Sequence, residues 1–145
     1  MNATLQRFGH PAAVIFEMRH WVVLIRPRQT TPYSAVIAAR SAAERLADLQ
    51  PAEAAELPAV IAAYEAAVRR VAPAVKFNYL ALMMVDPHPH FHAIPRYQSV
   101  ITIDGVAHED QDFPRPPDVL RGLDIDADTL ERWRARLAAA ATAPG

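Results

Sequence analysis

Asp86-Pro87-His88-Pro89-His90-Phe91-His92-Ala93-Ile94-Pro95-Arg96-Tyr97 is the stretch on which the reading of this chain turns. It holds three of the six histidines at strict two-residue spacing. In an extended strand that spacing puts all three imidazoles on one face, about 6.5–7 Å apart, with Pro89, Phe91 and Ala93 pointing the other way. Three titratable rings on one face make a poor core and a good lining for a site.

The chemistry of that lining has three readings. Imidazole is neutral near pH 7 and nucleophilic, so it suits attack on phosphorus. The phosphoramidate formed is cleaved by water, while neighbouring rings fix the tautomer and protonate the leaving oxygen. The second reading is zinc. In a flat strand His88 and His92 stand about 13 Å apart, too far for one ion at roughly 2.0–2.1 Å from each nitrogen. A zinc site would need a further ligand such as Asp86 or His108. The third reading is three satisfied, partly exposed histidines with no chemistry.

Upstream, Val75 to Met84 reads as a strand. Phe77, Tyr79, Ala81 and Met83 share one face, and Asn78, Leu80, Leu82 and Met84 the other. The Met83-Met84 pair is expected in the core, Asp86-Pro87 marks a turn, and His88 to Ile94 is the next strand. Nearer the start, Ala13 to Glu17, His20 to Arg26 and Ser34 to Ala39 read as strands. They are joined by a tight turn at Met18-Arg19 and a loop from Gln29 to Tyr33. The connections are too short for helical crossovers, which predicts an antiparallel meander. The second strand is apolar on both faces and is expected in the middle of its sheet.

Helices fall between and after these strands. Ser41 to Leu49 reads as a short one. Pro51 suits the first turn of a longer one, whose apolar stripe is Leu57, Ile61, Tyr64, Val68 and Val71. Pro58 interrupts that pattern and predicts a kink or break. Val100 to Ile103 runs into Asp104-Gly105, a strong hairpin signal. Phe113 to Pro117 is expected to be irregular. Asp128 with Glu131 resembles a capping box for a last helix faced by Leu130, Trp133 and Leu137, and Ala138 to Gly145 is expected to fray. The fold class is α+β: a five-stranded antiparallel sheet with one long helix and a C-terminal helix, in a single domain over 1–145.

Composition bounds the function. At 145 residues the chain has the size of one domain, and 52% hydrophobic residues exclude a disordered polymer. A formal net charge of −1 gives no global field for nucleic acid or an anionic membrane. Arg19, Arg26 and Arg28 still allow a local basic pocket. With no cysteine, thiol nucleophiles and thiolate metal sites are out. Charged residues break every apolar run short of a membrane span, so the expected location is the cytoplasm.

The segment His88-Pro89-His90-Phe91-His92-Ala93-Ile94 resembles the histidine-triad signature, His-φ-His-φ-His-φ-φ with φ apolar. Pro95-Arg96 and the run Asn78 to Pro87 resemble a bacterial branch of that superfamily. The likeness covers roughly residues 13 to 110, with 111–145 as an extension. It implies a nucleotide hydrolase or nucleotidyl transferase acting at an α-phosphate through a nucleotidyl-histidine, with no required metal or other cofactor. The implied substrate is an AMP-like nucleotide, as a dinucleoside polyphosphate or nucleoside phosphoramidate, and the implied partner a second copy of the chain in a homodimer. His90 would be the nucleophile, His92 would contact phosphate and leaving oxygen, and His88 would hold the geometry. Asn78, Arg96 and Arg26 are the candidates for substrate binding. The chain departs from its relatives in three places. Pro32-Tyr33-Ser34 stands where Pro-Gly-His is common, Met83 to Pro87 lacks the usual glycine and glutamine, and Arg26 lies near a usual ribose-binding Asp or Asn.

Overall fold

The computed structural model describes residues 2–142. A short helix α1 (Ala3–Arg7) precedes strands β1 (Val14–Glu17), β2 (Trp21–Ile25) and β3 (Ala35–Ala39). The long helix α2 (Pro51–Val71) leads to β4 (Lys76–Leu80) and β5 (His90–Arg96). The hairpin β6 (Ile101–Ile103) and β7 (Val106–His108) and the helix α3 (Ala127–Thr142) complete the described chain.

The main sheet has five antiparallel strands in the order β1-β2-β3-β5-β4. Its first three strands form the expected meander. The last two do not extend it: β5 returns between β3 and β4, leaving β4 on the edge. The triad strand is thereby paired on both sides. Asp104 and Gly105 both have positive φ and make the tight turn of the separate β6–β7 hairpin.

Cross-strand partners share a face, so the register sorts the side chains. Trp21, Val23, Ile25, Ala35, Ile37 and Ala93 look toward α2 and α3 and form the main core with Tyr64, Val68, Trp133 and Leu137. Val22, Leu24, Val36 and Ala38 look the other way and pack under Leu5 and Phe8 at the N-terminus. His90 pairs with Ala38 and His92 with Val36, so both histidines lie on this second face, away from the long helices. β2 and β3 are buried on both faces because each face has its own cover.

Several expectations need correction. Ser41 to Leu49 is not a helix; only a single tight turn, Leu46–Asp48, forms there. α2 runs unbroken through Pro58, which sits on the exposed side, where the carbonyl left without a partner faces water. The backbone N–H of Gln50 donates to Glu53 at the start of that helix. Its buried stripe centres on Val60, Tyr64, Ala67 and Val68, with Leu57, Ile61 and Val71 at its margins. The strand predicted to Met84 stops at Leu80. Met83 has a left-handed backbone, and Met84 is 90% exposed rather than core. Asp126, not Asp128, caps α3 by accepting from the Thr129 N–H. α3 continues to Thr142, with Ala140 packed in the main core and its carbonyl accepting from Arg70; positions 143–145 of the predicted fraying end lie outside the described residues.

Tyr33 is a notable departure. It has φ of 69°, a conformation glycine adopts without cost. A fully buried ring holds it there, packed 5.3 Å from Trp133, with its hydroxyl accepting from Arg136 and its carbonyl accepting from the Tyr64 hydroxyl.

Candidate active site

β5 begins at His90, so the three histidines do not share one strand face. Pro89 has no N–H for the ladder, although its carbonyl still accepts from Ala39. His88 lies just before the strand. Its ring is held through Nδ1 to the Ala43 carbonyl at 2.8 Å, and its own carbonyl bonds Nδ1 of His90 at 2.8 Å. A carbonyl only accepts, so Nδ1 of His90 carries the proton and Nε2 keeps its lone pair. The two rings that do share the face, His90 and His92, stand edge to face with centroids 5.2 Å apart.

His92 is fixed in the opposite sense. Arg26 donates from Nε to Nδ1 of His92 at 3.1 Å. Its remaining nitrogens donate to the Arg28 carbonyl, the Thr30 hydroxyl and the Val119 carbonyl at 2.8–3.0 Å. Arg26 is buried, and burial with Arg28 nearby lowers its guanidinium to about 10, so it stays charged at neutral pH. Burial first, then the charges of Arg26 and His90, push the His92 imidazole down to about 4. His92 is a neutral ring beside a cation.

His90 and His92 open on a cavity of about 560 Å³, within the range of small-molecule sites. Its cationic lining is Arg7, Arg26 and Arg28, and its one acid is Asp86, 3.1 Å from Arg7. The apolar walls are Phe8, the loop from Leu82 to Val85, and Val119 with Leu120. Phe8 packs on both rings, at 5.5 Å from His90 and 5.9 Å from His92. The sequence reading missed these walls. Phe8 follows a five-residue helix, too short for periodicity to show, although Asn2 caps it and ties it to the Ala39 and Ser41 carbonyls. Val119 and Leu120 come from a turn-rich segment with no pattern of its own.

The structure does not bring Asn78 and Arg96 to this cavity. Asn78 has the expected strand parity but pairs with Ile94, two residues beyond His92. Arg96 is buried, donates to Asp110 at 2.8 Å and to Asn78 at 2.7 Å, and also reaches the Arg115 carbonyl. Both line a neighbouring cavity of about 600 Å³ roofed by Phe113 to Pro117, which is irregular as expected. Arg96 therefore ties the C-terminal segment to the sheet. Arg19 is exposed at the β1–β2 turn, outside either cavity.

Of the ligands invoked for zinc, Asp86 lines the histidine cavity but is committed to Arg7, and His108 lies elsewhere, packed edge-on against Trp133 on the hairpin. Among the described residues no group of three or more His, Asp or Glu side chains is placed to hold a metal. Nor is any described helix long and apolar enough to cross a membrane.

Solved structures share this fold. A histidine triad protein from Bradyrhizobium japonicum superposes with TM-score 0.69 at 21% identity, covering 94% of this chain and 93% of that one. One from Sinorhizobium meliloti does so with TM-score 0.71 at 17% identity and the same coverage. A zinc-bound histidine triad family protein from Mycobacterium smegmatis gives TM-score 0.64 at 19% identity, covering 95% and 93%. No protein-family model and no curated protein matches the sequence. The α+β sheet-and-helix arrangement of this chain is the histidine-triad fold.

Proposed function

We propose that this chain is a nucleotide hydrolase or nucleotidyl transferase that works through a nucleotidyl-histidine at His90. The observation that carries the reading is the bond from His90 Nδ1 to the His88 carbonyl. It leaves the Nε2 lone pair as the ring's free nucleophile at a cavity where three arginines meet one already-paired acid. Such a cavity suits an anionic, AMP-like group. His92 would hydrogen-bond the phosphate or leaving oxygen, and His88 acts through its carbonyl. Arg28 is the cation left to meet phosphate, since Arg7 is paired with Asp86 and Arg26 has four of an arginine's five N–H groups engaged within the protein.

A homodimer belongs to the same reading, formed through α2 and the free edge of β4. Tyr64 and Val68 take no part in it, because both are fully buried in the single chain. Light scattering on the purified protein checks the dimer.

The catalytic test is intact mass after rapid, acid-free quenching with a dinucleoside polyphosphate. Wild type should carry a nucleotide-sized adduct and His90→Ala none, with turnover reduced by about 10³-fold or more and the fold unchanged by circular dichroism. Turnover retained in His90→Ala would remove the assignment. Nucleotide binding with neither adduct nor product would define a binding protein instead. Activity lost to a chelator and restored by zinc would support the metal reading.

A further inference from the structure

We infer that Arg26 locks His92 as a neutral Nε2–H donor, and that the site therefore acts on acid anhydrides of a nucleotide α-phosphate rather than on phosphorus–nitrogen amides. This rests on the nucleotidyl-histidine reading above and narrows it to one substrate class.

The lock follows from valence. Guanidinium has no lone pair to offer, so the 3.1 Å contact makes Nδ1 of His92 the acceptor. A neutral ring with a bare Nδ1 carries its proton on Nε2. A second proton would have to sit on Nδ1, against the Nε–H of Arg26, and would set two cations side by side. Arg26 cannot turn away, because the Arg28 carbonyl, the Thr30 hydroxyl and the Val119 carbonyl hold its other nitrogens. Nor does an acid offset it: the remaining charged or titratable groups lining the cavity are Arg7, Arg28, Asp86 and His90, and Asp86 is paired with Arg7.

His92 thus lends a hydrogen bond but has no acidic proton to give, since losing Nε2–H would leave an imidazolate. The consequence falls on the leaving group. In the first step the Nε2 lone pair of His90 bonds phosphorus while the bond from phosphorus to the leaving oxygen breaks. The electron pair goes to that oxygen, which departs as a phosphate or carboxylate anion accepting from His92. No proton moves. Water then attacks phosphorus, the phosphorus–nitrogen bond breaks, its electron pair returns to Nε2 of His90, and the water proton passes to solvent. An alkylamine leaves only after its nitrogen gains a proton, and among the described residues lining the cavity none is placed to supply it.

The experiment has two arms. Long-range proton–nitrogen NMR of the imidazoles in wild type should show His92 protonated on Nε2 and bare on Nδ1, unchanged from pH 8 to pH 5. Next, kcat/KM is compared on diadenosine tetraphosphate and on an AMP phosphoramidate of an alkylamine. The anhydride should win by at least about 10²-fold, the range a missing general acid costs. Arg26→Met should let His92 take up a proton at a higher pH than in wild type, though burial still holds it below its ordinary value, and narrow the ratio by about tenfold or more, with an acid-side rise in the amide rate. Arg26→Lys, which keeps a cationic donor, should hold the wild-type ratio. A merely structural role for Arg26 would depress both substrates alike. His92 found cationic or protonated on Nδ1 at pH 6, or substrates turned over within a few-fold of each other, would overturn the inference. The wild-type spectra and substrate pair decide it even if Arg26→Met does not fold. With neither substrate turned over and no adduct on His90, the broader catalytic reading fails and the substrate class with it. The NMR arm still judges the lock separately.

Discussion

The histidine face of the sheet carries two buried arginines, and they are used in opposite ways. Arg96 faces Asp110 in a dry ion pair, with side chains 4% and 2% exposed. Its charge is cancelled where it sits, and what remains is a clamp on the C-terminal segment. Arg26, two strands across the sheet, meets only neutral acceptors: a ring nitrogen, a hydroxyl and two carbonyls. Its charge is left uncancelled, and the nearest titratable group to feel it is His92. The same residue type is structural where a carboxylate answers it and electrostatic where none does.

That contrast can be broken most forcefully at Arg96. Arg96→Met should cost about 3–5 kcal/mol by leaving Asp110 buried and unpaired. Urea denaturation would show it, and replacing both partners, Arg96→Met with Asp110→Leu, should restore most of the loss. A loss under about 1 kcal/mol in the single variant would mean that Asp110 is not desolvated. Next in size is the pH dependence of stability. The folded-state value of His92 lies near 4, below the ordinary 6.5. As pH falls the unfolded chain takes up that proton first, so the His92 contribution is full above about pH 6.5 and declines toward pH 4. The loss is on the order of 3 kcal/mol at most, at 1.36 kcal/mol per unit. Arg26→Met should reduce this slope without abolishing it, since burial is the larger cause, while itself costing about 2 kcal/mol for its lost charged hydrogen bonds. The smallest effect is expected from Asn78→Ala, about 1 kcal/mol, because Arg96 keeps its carboxylate partner without it.

The same two arginines mark where the sequence was legible. Both stand among the candidates for substrate binding in the sequence, because a basic residue looks free until its partners are known. The partners of Arg26 include Thr30 and Val119, and those of Arg96 include Asp110 and Arg115. Asp110, Arg115 and Val119 sit in a segment with no periodicity to place it. The strands, by contrast, announced themselves, since alternation and turn dipeptides act between near neighbours. Strand order did not, because nothing in β4 or β5 states that the later strand inserts between the earlier two. Spacing puts all three histidines on one face, and the structure places only His90 and His92 there. His88 falls outside the strand, because proline at 89 takes away the donor that would have carried the ladder back to it.

One feature of the cavity wall bears on how such a site can change over time. The C-terminal segment grips the loop below it through main-chain oxygens: Val119 to Arg26, Leu120 to Arg28 and Arg121 to Thr30. Every residue type supplies the same oxygen, so substitutions at 119 and 120 alter what the cavity accepts without loosening the guanidinium behind His92. The shape of the cavity wall and the guanidinium's hold on His92 are therefore inherited separately. Mutation can redraw the one while the other is copied unchanged.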